Sequence, residues 1–476
     1  MASKEAEIGI VGLGAMGANL GWNIAEHGYP VAGLDNSDDK TEAFATNAPK
    51  DGDSAPVTAT TDAGAFAARL RAPRAIMLLV PAGDVVDSVI DSLLPHLDKG
   101  DVLIDGGNSH FVHTDRRAAD LKAAGIHFMG MGVSGGEDGA RHGPSMMPGG
   151  DAEGWKRVQD MLEAASAHVD GEPCVAWLGK GSAGHYVKMV HNGIEYGLME
   201  LIAEAYDLMY RGLNMSREQI QATFAAWSKG EMASFLMEIT ADIFTKRDPM
   251  SDGYLLDEIL DAARQKGTGM WTSQEAMENK VPTPIIDAAV AMRNLSDFKA
   301  QREQASRELS GPHDGQGTQP DGADALVEAL GHALYGAMIM TYAQGMHLLQ
   351  EGNKAHGYGI DPQTVARIWR GGCIIRARLL EDLRAAYARD PQLPNLVFDP
   401  DLEKRLEHSQ PQLREVVRTA ADWGMPAPGL MAALGYYDAY RSARLPANLI
   451  QAQRDYFGAH TFERIDREGT FHAHWD

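Results

Sequence analysis

The apolar positions change rhythm near residue 180. Upstream, short apolar runs at 8–11, 31–34, 75–80, 102–104, 127–131 and 175–178 alternate with amphipathic stretches of helical period. Such runs, each bounded by turn residues, predict a doubly wound α/β unit around a mostly parallel sheet. Downstream, helical periodicity holds almost to the end and predicts a large all-α region. It is interrupted at Ser310-Gly311-Pro312-His313-Asp314-Gly315-Gln316-Gly317, whose breakers predict an exposed loop. The two sides of that loop resemble each other. Ala203–Leu208, Ser216 and Trp227-Ser-Lys-Gly230 recur as Ala343–Leu348, Asp361 and Trp369-Arg-Gly-Gly372. An internal duplication of a helical unit is the expectation, with chance likeness between amphipathic helices as its rival.

The first apolar run leads directly into Gly12-Leu13-Gly14-Ala15-Met16-Gly17. A helical stretch over 19–27 follows, Gly28 stops it, and the run at 31–34 ends in Asp35. In this context the glycines permit a tight turn, backbone approach to a pyrophosphate and close packing of helix on strand. The helix N-terminus then offers free N–H groups to the phosphates. Glycine is abundant, with 51 residues, so a purely structural turn is the competing reading. Asp35 lies near the ~20-residue offset at which an acid bonds the adenosine ribose. A carboxylate there repels the 2′-phosphate of NADP, and Asn36-Ser37 brings no arginine, so NAD is the expected cofactor and NADP the alternative. The bland role for Asp35 is to cap the next helix.

A second concentration of chemistry lies on a helix expected from about His185. At ~100° per residue, His191, Asn192, Glu195 and Tyr196 all fall within about 80° of Lys188. Val190, Ile194, Leu198 and Leu201 lie opposite. The polar stripe is short and continues as Met199 and Ile202, which predicts a polar pocket at one end of a buried helix rather than a solvated face. Two glycine-rich segments after strands, Asp105-Gly106-Gly107-Asn108-Ser109 and Gly132-Val133-Ser134-Gly135-Gly136, supply candidate walls. Open α/β sheets place ligands beyond such strand ends.

Charge narrows the partners. There are 43 Lys and Arg against 66 Asp and Glu, a net charge of −23. That disfavours nucleic acid and anionic membranes, which need a basic face. It leaves room for an anionic small molecule held by a local cluster of cations. Two cysteines, Cys174 and Cys373, make no disulfide framework or metal-ligand set. The opening Met1-Ala2-Ser3-Lys4-Glu5 has no apolar signal core and no run approaches a membrane span, so a cytoplasmic protein is expected.

Several of these segments, read together, resemble the 6-phosphogluconate dehydrogenase family. The resemblance is carried by Asp105–Ser109, by Gly132-Val-Ser-Gly-Gly-Glu-Asp-Gly-Ala-Arg141 and by Gly184-His-Tyr-Val-Lys188-Met-Val-His191-Asn192-Gly-Ile-Glu195-Tyr196. It extends through Gln265-Lys266-Gly-Thr-Gly-Met-Trp271, Trp369-Arg-Gly-Gly-Cys-Ile-Ile-Arg376 and Leu445–His460, which is essentially the whole chain. It implies a Rossmann-type domain over 1–180, an all-helical substrate and dimerisation domain over 181–440, and a tail over 441–476 that reaches the partner subunit of a homodimer. The implied reaction oxidises 6-phosphogluconate at C3, releases CO2 and yields ribulose 5-phosphate, as in the pentose phosphate pathway or gluconate utilization.

On this resemblance Lys188 is the general base and Glu195 the acid that protonates C1. Asn108, Ser134, Gly135, Gly136, His191 and Asn192 hold the sugar acid, and Tyr196, Lys266 and Arg293 hold its phosphate. Arg454 and His460 serve the neighbouring subunit's substrate. The cofactor lies against Gly12, Gly14, Ala15, Met16, Gly17, Asp35, Asn36, Ser37, Val80, Pro81, Ala82 and Asn108. No metal is implied, because the 3-keto group is itself an electron sink. The chain departs from the commoner pattern where NADP-dependent members usually read Asn-Arg-Thr and this chain reads Asp35-Asn36-Ser37. It departs again at Pro81, where lysine is frequent, at Arg264, where a small residue is usual, and at Met270, where lysine is usual. A non-decarboxylating β-hydroxyacid dehydrogenase and a catalytically silent dinucleotide-binding protein are the rival readings.

Overall fold

The computed structural model describes residues 5–50, 52, 54–312 and 323–475. Its first part holds β1 (Ile8–Val11), β2 (Val31–Leu34), β3 (Val57–Thr60), β4 (Ala75–Leu78), β5 (Val102–Asp105), β6 (His127–Val133) and β7 (Met146–Gly150). They form one sheet in the order β3-β2-β1-β4-β5-β6-β7, parallel throughout except for the β6–β7 pair. Helices α1 (Ala15–Glu26), α2 (Asp38–Thr46), α3 (Ala63–Ala67), α4 (Asp84–Leu93), α5 (Phe111–Ala124), α6 (Gly136–His142) and α7 (Ala152–Ala165) punctuate the strands. β1, β2, β4 and β5 are buried along their whole length, with Ile8 and Ile10 in one core layer and Ile76 and Leu78 in the other. Strands covered on both faces read as unbroken apolar runs, which is why these four were visible in the sequence. The strand order reverses between β1 and β4, the switch point at which such sheets bind ligands.

Two strands escape the apolar pattern. β3 is an edge strand with half-exposed Val-Thr-Ala-Thr, and β7 reads Met-Met-Pro-Gly-Gly, a turn-like sequence. Pro148 is tolerated because β7 pairs in the ladder with β6 alone. The run at 175–178, expected as a strand, is not one. Val175 forms an isolated bridge with Met146, and Leu178 donates to Pro148 O at 2.8 Å, so the segment lies along β7 without building a ladder. The glycine turn also differs from expectation, since Ala15, Met16 and Gly17 are already the first turn of α1.

From residue 183 the fold is helical: α8 (Ala183–Asp207), α9 (Arg217–Trp227), α10 (Phe235–Ile243), α11 (Leu255–Glu258), α12 (Thr268–Glu278), α13 (Pro284–Ser296), α14 (Lys299–Glu308), α15 (Ala323–His356), α16 (Pro362–Ile368), α17 (Leu379–Arg389), α18 (Pro400–Asp422), α19 (Pro428–Tyr440) and α20 (Ala447–Gly458). In both halves a long buried helix precedes a short one capped by a side chain, Ser216 for α9 and Asp361 for α16. Phe235 N donates to Arg376 O at 3.0 Å and Arg378 N to Ala233 O at 2.9 Å, a reciprocal pair about Ser234 and Ala377. The two positions lie 377 − 234 = 143 residues apart, close to the 369 − 227 = 142 that separate Trp227 and Trp369. Of the breaker segment, Ser310 to Pro312 is exposed, and the remainder lies outside the described residues.

Helix α8 joins the two parts by backbone contact. A Cβ built on Gly184 would lie 2.2 Å from both Gly130 O and Met147 O, and one on Gly149 would lie 2.2 Å from Gly184 N. No side chain fits between helix and sheet there. The replacement Gly184→Ala is therefore expected to destabilise the protein by about 1–3 kcal/mol or more, as overpacking against rigid backbone does. Urea denaturation checks this, and an unchanged midpoint would contradict the packing described.

Candidate functional site

The three glycines of the first turn occupy three different environments. Gly12 has φ +91°, and a Cβ there would lie 2.5 Å from Leu79 O. Gly14 has no atom within 4 Å of its would-be Cβ and leaves the α1 N-terminus without a side-chain cap. A Cβ on Gly17 would sit 1.9 Å from Gly12 O. A tight turn, open space over free N–H groups and close helix–strand packing together fit a dinucleotide pyrophosphate. Gly12 abuts Leu79 and Val80, and Gly107 approaches Val80 O, so the Val80-Pro81-Ala82 and Asn108 loops flank the same sheet edge. Asn108, Asn36, Pro81 and Ala82 are all exposed there.

Asp35 braces this cradle. Its Oδ2 accepts from Leu13 N at 2.8 Å and its Oδ1 from Ser37 N at 3.1 Å, with Lys40 Nζ at 3.6 Å. The cap of α2 is Ser37, so Asp35 does not have the bland role weighed for it. Each carboxylate oxygen keeps a lone pair for a hydroxyl.

The polar end of α8 is buried, as the short stripe predicted. Lys188 is 6% exposed, and its stem runs over β6, where a Cβ on Gly132 would lie 2.3 Å from the Lys188 Cβ. His191 is fully buried. Its Nδ1 lies 3.0 Å from Asn192 Oδ1, which can only accept, so Nδ1 carries the proton. Nε2 then accepts from the Ser134 hydroxyl at 3.2 Å. Asn192 Nδ2 donates onward to Thr268 Oγ1 at 3.1 Å, and Glu195 lies 3.8 Å from His191 Nδ1. Gly135 and Gly136 both have positive φ, and a Cβ on Gly135 would meet Gly372 O at 2.6 Å. The Ser134 loop is thus backed by the turn that follows α16.

Burial drives the electrostatics. It pushes the Lys188 ammonium down from its ordinary value, against the attraction of Glu195. It pushes the Glu195 carboxyl up, against Lys188 and Arg293. His191 is depressed well below the usual imidazole range, by burial first and by Lys188 second. Desolvation therefore moves Lys188 and Glu195, seven residues apart, toward their uncharged forms.

The phosphate candidates separate into two groups. The Arg293 guanidinium stacks 3.4 Å over the Tyr196 ring, beside the α8 face. Lys266 is exposed just ahead of α12, whose first residue is Thr268. Arg454 and His460 lie instead on the tail, 3.3 Å from each other, Arg454 also reaching Gln451. Met199, expected to continue the buried apolar face, is 43% exposed and receives Arg293 Nη2 at 3.5 Å.

The resemblance assigns no site role to three further contributors, although each lies within a segment that carries it. Thr268 links α12 to Asn192. Trp369 sets its ring edge-on to His191 at 5.6 Å and 76°. Cys373, whose Sγ donates to Trp369 O, is close enough for Lys188 to act on it electrostatically. Among the described residues no cluster of side chains could hold a metal ion, and no helix is long and apolar enough to cross a membrane.

Comparison with known proteins matches this geometry to a family. The family model for the NAD binding domain of 6-phosphogluconate dehydrogenase covers residues 7–179, and that for the C-terminal domain of the same enzyme covers 184–475. The sequence is 48% identical over 472 residues, 99% of each chain, to the NADP(+)-dependent, decarboxylating 6-phosphogluconate dehydrogenase of Bacillus subtilis. It is 48% identical over 475 residues, again 99% of each, to the decarboxylating enzyme of Escherichia coli. The solved Plasmodium falciparum 6-phosphogluconate dehydrogenase, described in apo form, with its cofactor NADP+ and with its substrate, superposes with a TM-score of 0.93. It is 40% identical, and the match covers 98% of this chain and 100% of that one.

The buried lysine makes a stability prediction. Between its depressed folded value and the ordinary ~10.4, the unfolded chain holds a proton that the native state lacks, so this group makes stability rise with pH. Lys188→Met carries no such proton. It is expected to stabilise the protein at pH 7, by an amount that shrinks as pH approaches 10. Urea denaturation at pH 7 and pH 9.5 reads the difference, and a loss of stability at pH 7 would contradict the burial argument.

Proposed function

The chain belongs to the 6-phosphogluconate dehydrogenase family, and from that premise we propose that its Lys188–Glu195 face oxidises and decarboxylates 6-phosphogluconate to ribulose 5-phosphate and CO2. It is an oxidoreductase of the decarboxylating, NAD(P)-linked kind. The observation that carries the assignment of roles is that buried Lys188 and half-buried Glu195 share one helical face, where burial pushes the ammonium down and the carboxyl up.

Neutral Lys188 takes the C3 hydroxyl proton; a nicotinamide cofactor held at the Gly12–Gly17 turn would supply the hydride acceptor for that carbon. The lysine then returns its proton to the 3-keto oxygen as CO2 leaves, so the electrons of the broken bond are received by the carbonyl. Protonated Glu195 delivers a proton to C1 of the resulting enediol while Lys188, neutral again, takes the proton of the C2 hydroxyl, which leaves the ketone. Ser134, Gly135, Gly136, His191 and Asn192 orient the sugar acid together with Asn108. Tyr196, Lys266 and Arg293 take the phosphate, the arginine through paired donors.

The finer cofactor assignment is NAD, with NADP as the alternative. Asp35 is a buried carboxylate at the end of β2, and exposed Asn36 follows it where a cation would meet a 2′-phosphate. The named relatives lean the other way, toward NADP. Lys40, 3.6 Å from Asp35, is the cation nearest that position.

A homodimer with exchanged tails completes the reading. α20 exposes Leu449, Ile450, Tyr456 and Phe457, with Leu445 just ahead of it, and Arg454 and His460 sit beside that apolar face. Those two side chains would then serve the partner's substrate. The division at 180 and 440 belongs to the same proposal.

Reduction of NAD+ and of NADP+ with 6-phosphogluconate, followed together with captured CO2, tests the whole. One CO2 per nicotinamide reduced, with the larger kcat/KM for NAD+, is the expected result. A preference for NADP+ overturns the Asp35 argument alone, and reduction without CO2 overturns the roles of Lys188 and Glu195. Loss of either group, in Lys188→Met or Glu195→Gln, is expected to lower kcat by about 10²–10⁴. The pH profile of kcat/KM is expected to be bell-shaped. The acid limb reports protonation of the base and the alkaline limb deprotonation of the acid, the two values belonging to the pair. Glu195→Gln should flatten the alkaline limb.

A further inference from the structure

One buried polar group near the site is unused by the chemistry above. His185, one turn ahead of Lys188 on α8, is 1% exposed. It enters the sheet where Gly130 leaves room, since a Cβ on that glycine would lie 2.7 Å from His185 Nδ1. Nδ1 is 2.7 Å from the Thr114 hydroxyl on α5, and buried Nε2 has no hydrogen bond of ordinary geometry. Gly130 pairs with Asp105 across β5 and β6, so the ring lies beside the end of β5, and backbone groups of Asp105 and Gly107 act on it. These residues lead directly into Asn108.

The tautomer follows from the surroundings. If Nδ1 carried the proton, Nε2 would be an acceptor facing carbonyl oxygens and would repel them. The Thr114 hydroxyl reaches two acceptors, His110 O at 3.4 Å and Nδ1 at 2.7 Å; donating to the nearer, it leaves the proton on Nε2, which presents it to those carbonyls. Burial and the Arg117 guanidinium keep the ring neutral against Asp105. Asp105, the last residue of β5, is engaged by the Ser109 hydroxyl at 2.6 Å, by Gly107 N at 3.1 Å and, from α5, by Arg117 at 3.3 Å. The start of the loop is therefore tied to sheet and helix, while Asn108 beyond it is exposed.

We propose that His185 is a positioning residue: its Nε2–H, fixed by Thr114, closes onto the carbonyl of Asp105 or Gly107 and holds the Asn108 loop against the helix bearing Lys188. This rests on the functional reading above. Asn108 comes from the dinucleotide-binding part and Lys188 from the helical part, so their relative placement depends on a link between the two. The open donor is that link, completed when cofactor and substrate draw the loop inward.

The test compares the wild type with His185→Gln, His185→Leu and Thr114→Val. Hydrogen exchange at the amides of 106–109 is measured with NADP+ or NAD+ alone and with 6-phosphogluconate added. Turnover is measured with substrate deuterated at C3. His185→Leu is expected to lose the ligand-induced protection, to lower kcat about 10–100-fold, as misplacement does, and to raise the deuterium isotope effect. Glutamine, which keeps a donor near Nε2, should restore most of both. Thr114→Val should show the same signature more weakly at an unchanged melting temperature. Equal protection in His185→Leu and wild type, or glutamine no better than leucine, would overturn the proposal. Failure of the wild type to turn over would instead overturn the functional reading, while protection by cofactor alone still decides the latch.

Discussion

Everything at the site depends on the backbone contact between α8 and the β6–β7 edge. Gly130, Gly149 and Gly184 let a helix lie directly on a sheet, and Gly132 lets the Lys188 stem cross the same strand. Side chains in that seam would lift α8 by ångströms and carry Lys188, His191 and Asn192 away from the Ser134 loop. The helix can bear the cost of burying a lysine because its opposite face is committed to the main core. Val190, Ile194, Leu198 and Leu201 pack there with residues of α15. Burial of a charge is expensive in isolation. Here the surrounding fold imposes it, and the result is a lysine disposed to be neutral.

The pair chemistry follows from one cause acting on two groups of opposite charge type. Desolvation disfavours the ammonium of Lys188 and the carboxylate of Glu195 alike. Their mutual attraction works against both shifts, so the site balances a neutral pair against an ion pair of the same total proton count. His191, held neutral between them and ordered through Ser134, Asn192 and Thr268, adds structure without adding a third titrating charge. A base that must later act as an acid needs such a balance, because either form must be reachable without a large change in free energy.

The sequence shows most clearly what is repeated or periodic. The glycine turn was legible because strand, turn, helix and acid occur in order, and the Lys188 face because its polar stripe is too short for a solvated surface. The resemblance supplied the roles, and the family comparisons cover the same span. What stayed hidden depends on contacts between distant segments. β7 reads as a turn because an edge strand can carry Pro148 and glycines. Thr268 and Trp369 give no local sign of serving the site, since one sits 76 residues from Asn192 and the other meets His191 from the second half of the helical region. The part played by Asp35 in bracing the glycine loop was equally invisible, because Leu13 N is brought to it only by the β1–β2 pairing.

The two halves of the helical region contribute unequally to this face. On the likeness that pairs Ala203–Leu208 with Ala343–Leu348, an offset of 140, Lys188, His191, Asn192 and Glu195 align with Glu328, Gly331, His332 and Tyr335 of α15. Glu328 is exposed and His332 half-buried, whereas Lys188, His191 and Asn192 are buried. The second half therefore does not repeat the buried polar cluster. Its contribution enters from the turn after α16, where Gly372 abuts Gly135 and Trp369 meets His191. One copy carries Lys188 and Glu195 while the other forms the wall behind them. The reciprocal bonds between Phe235 and Arg376 and between Arg378 and Ala233 hold the two in register. A site built this way can tolerate loss of polarity in one copy, because that copy is needed for its shape.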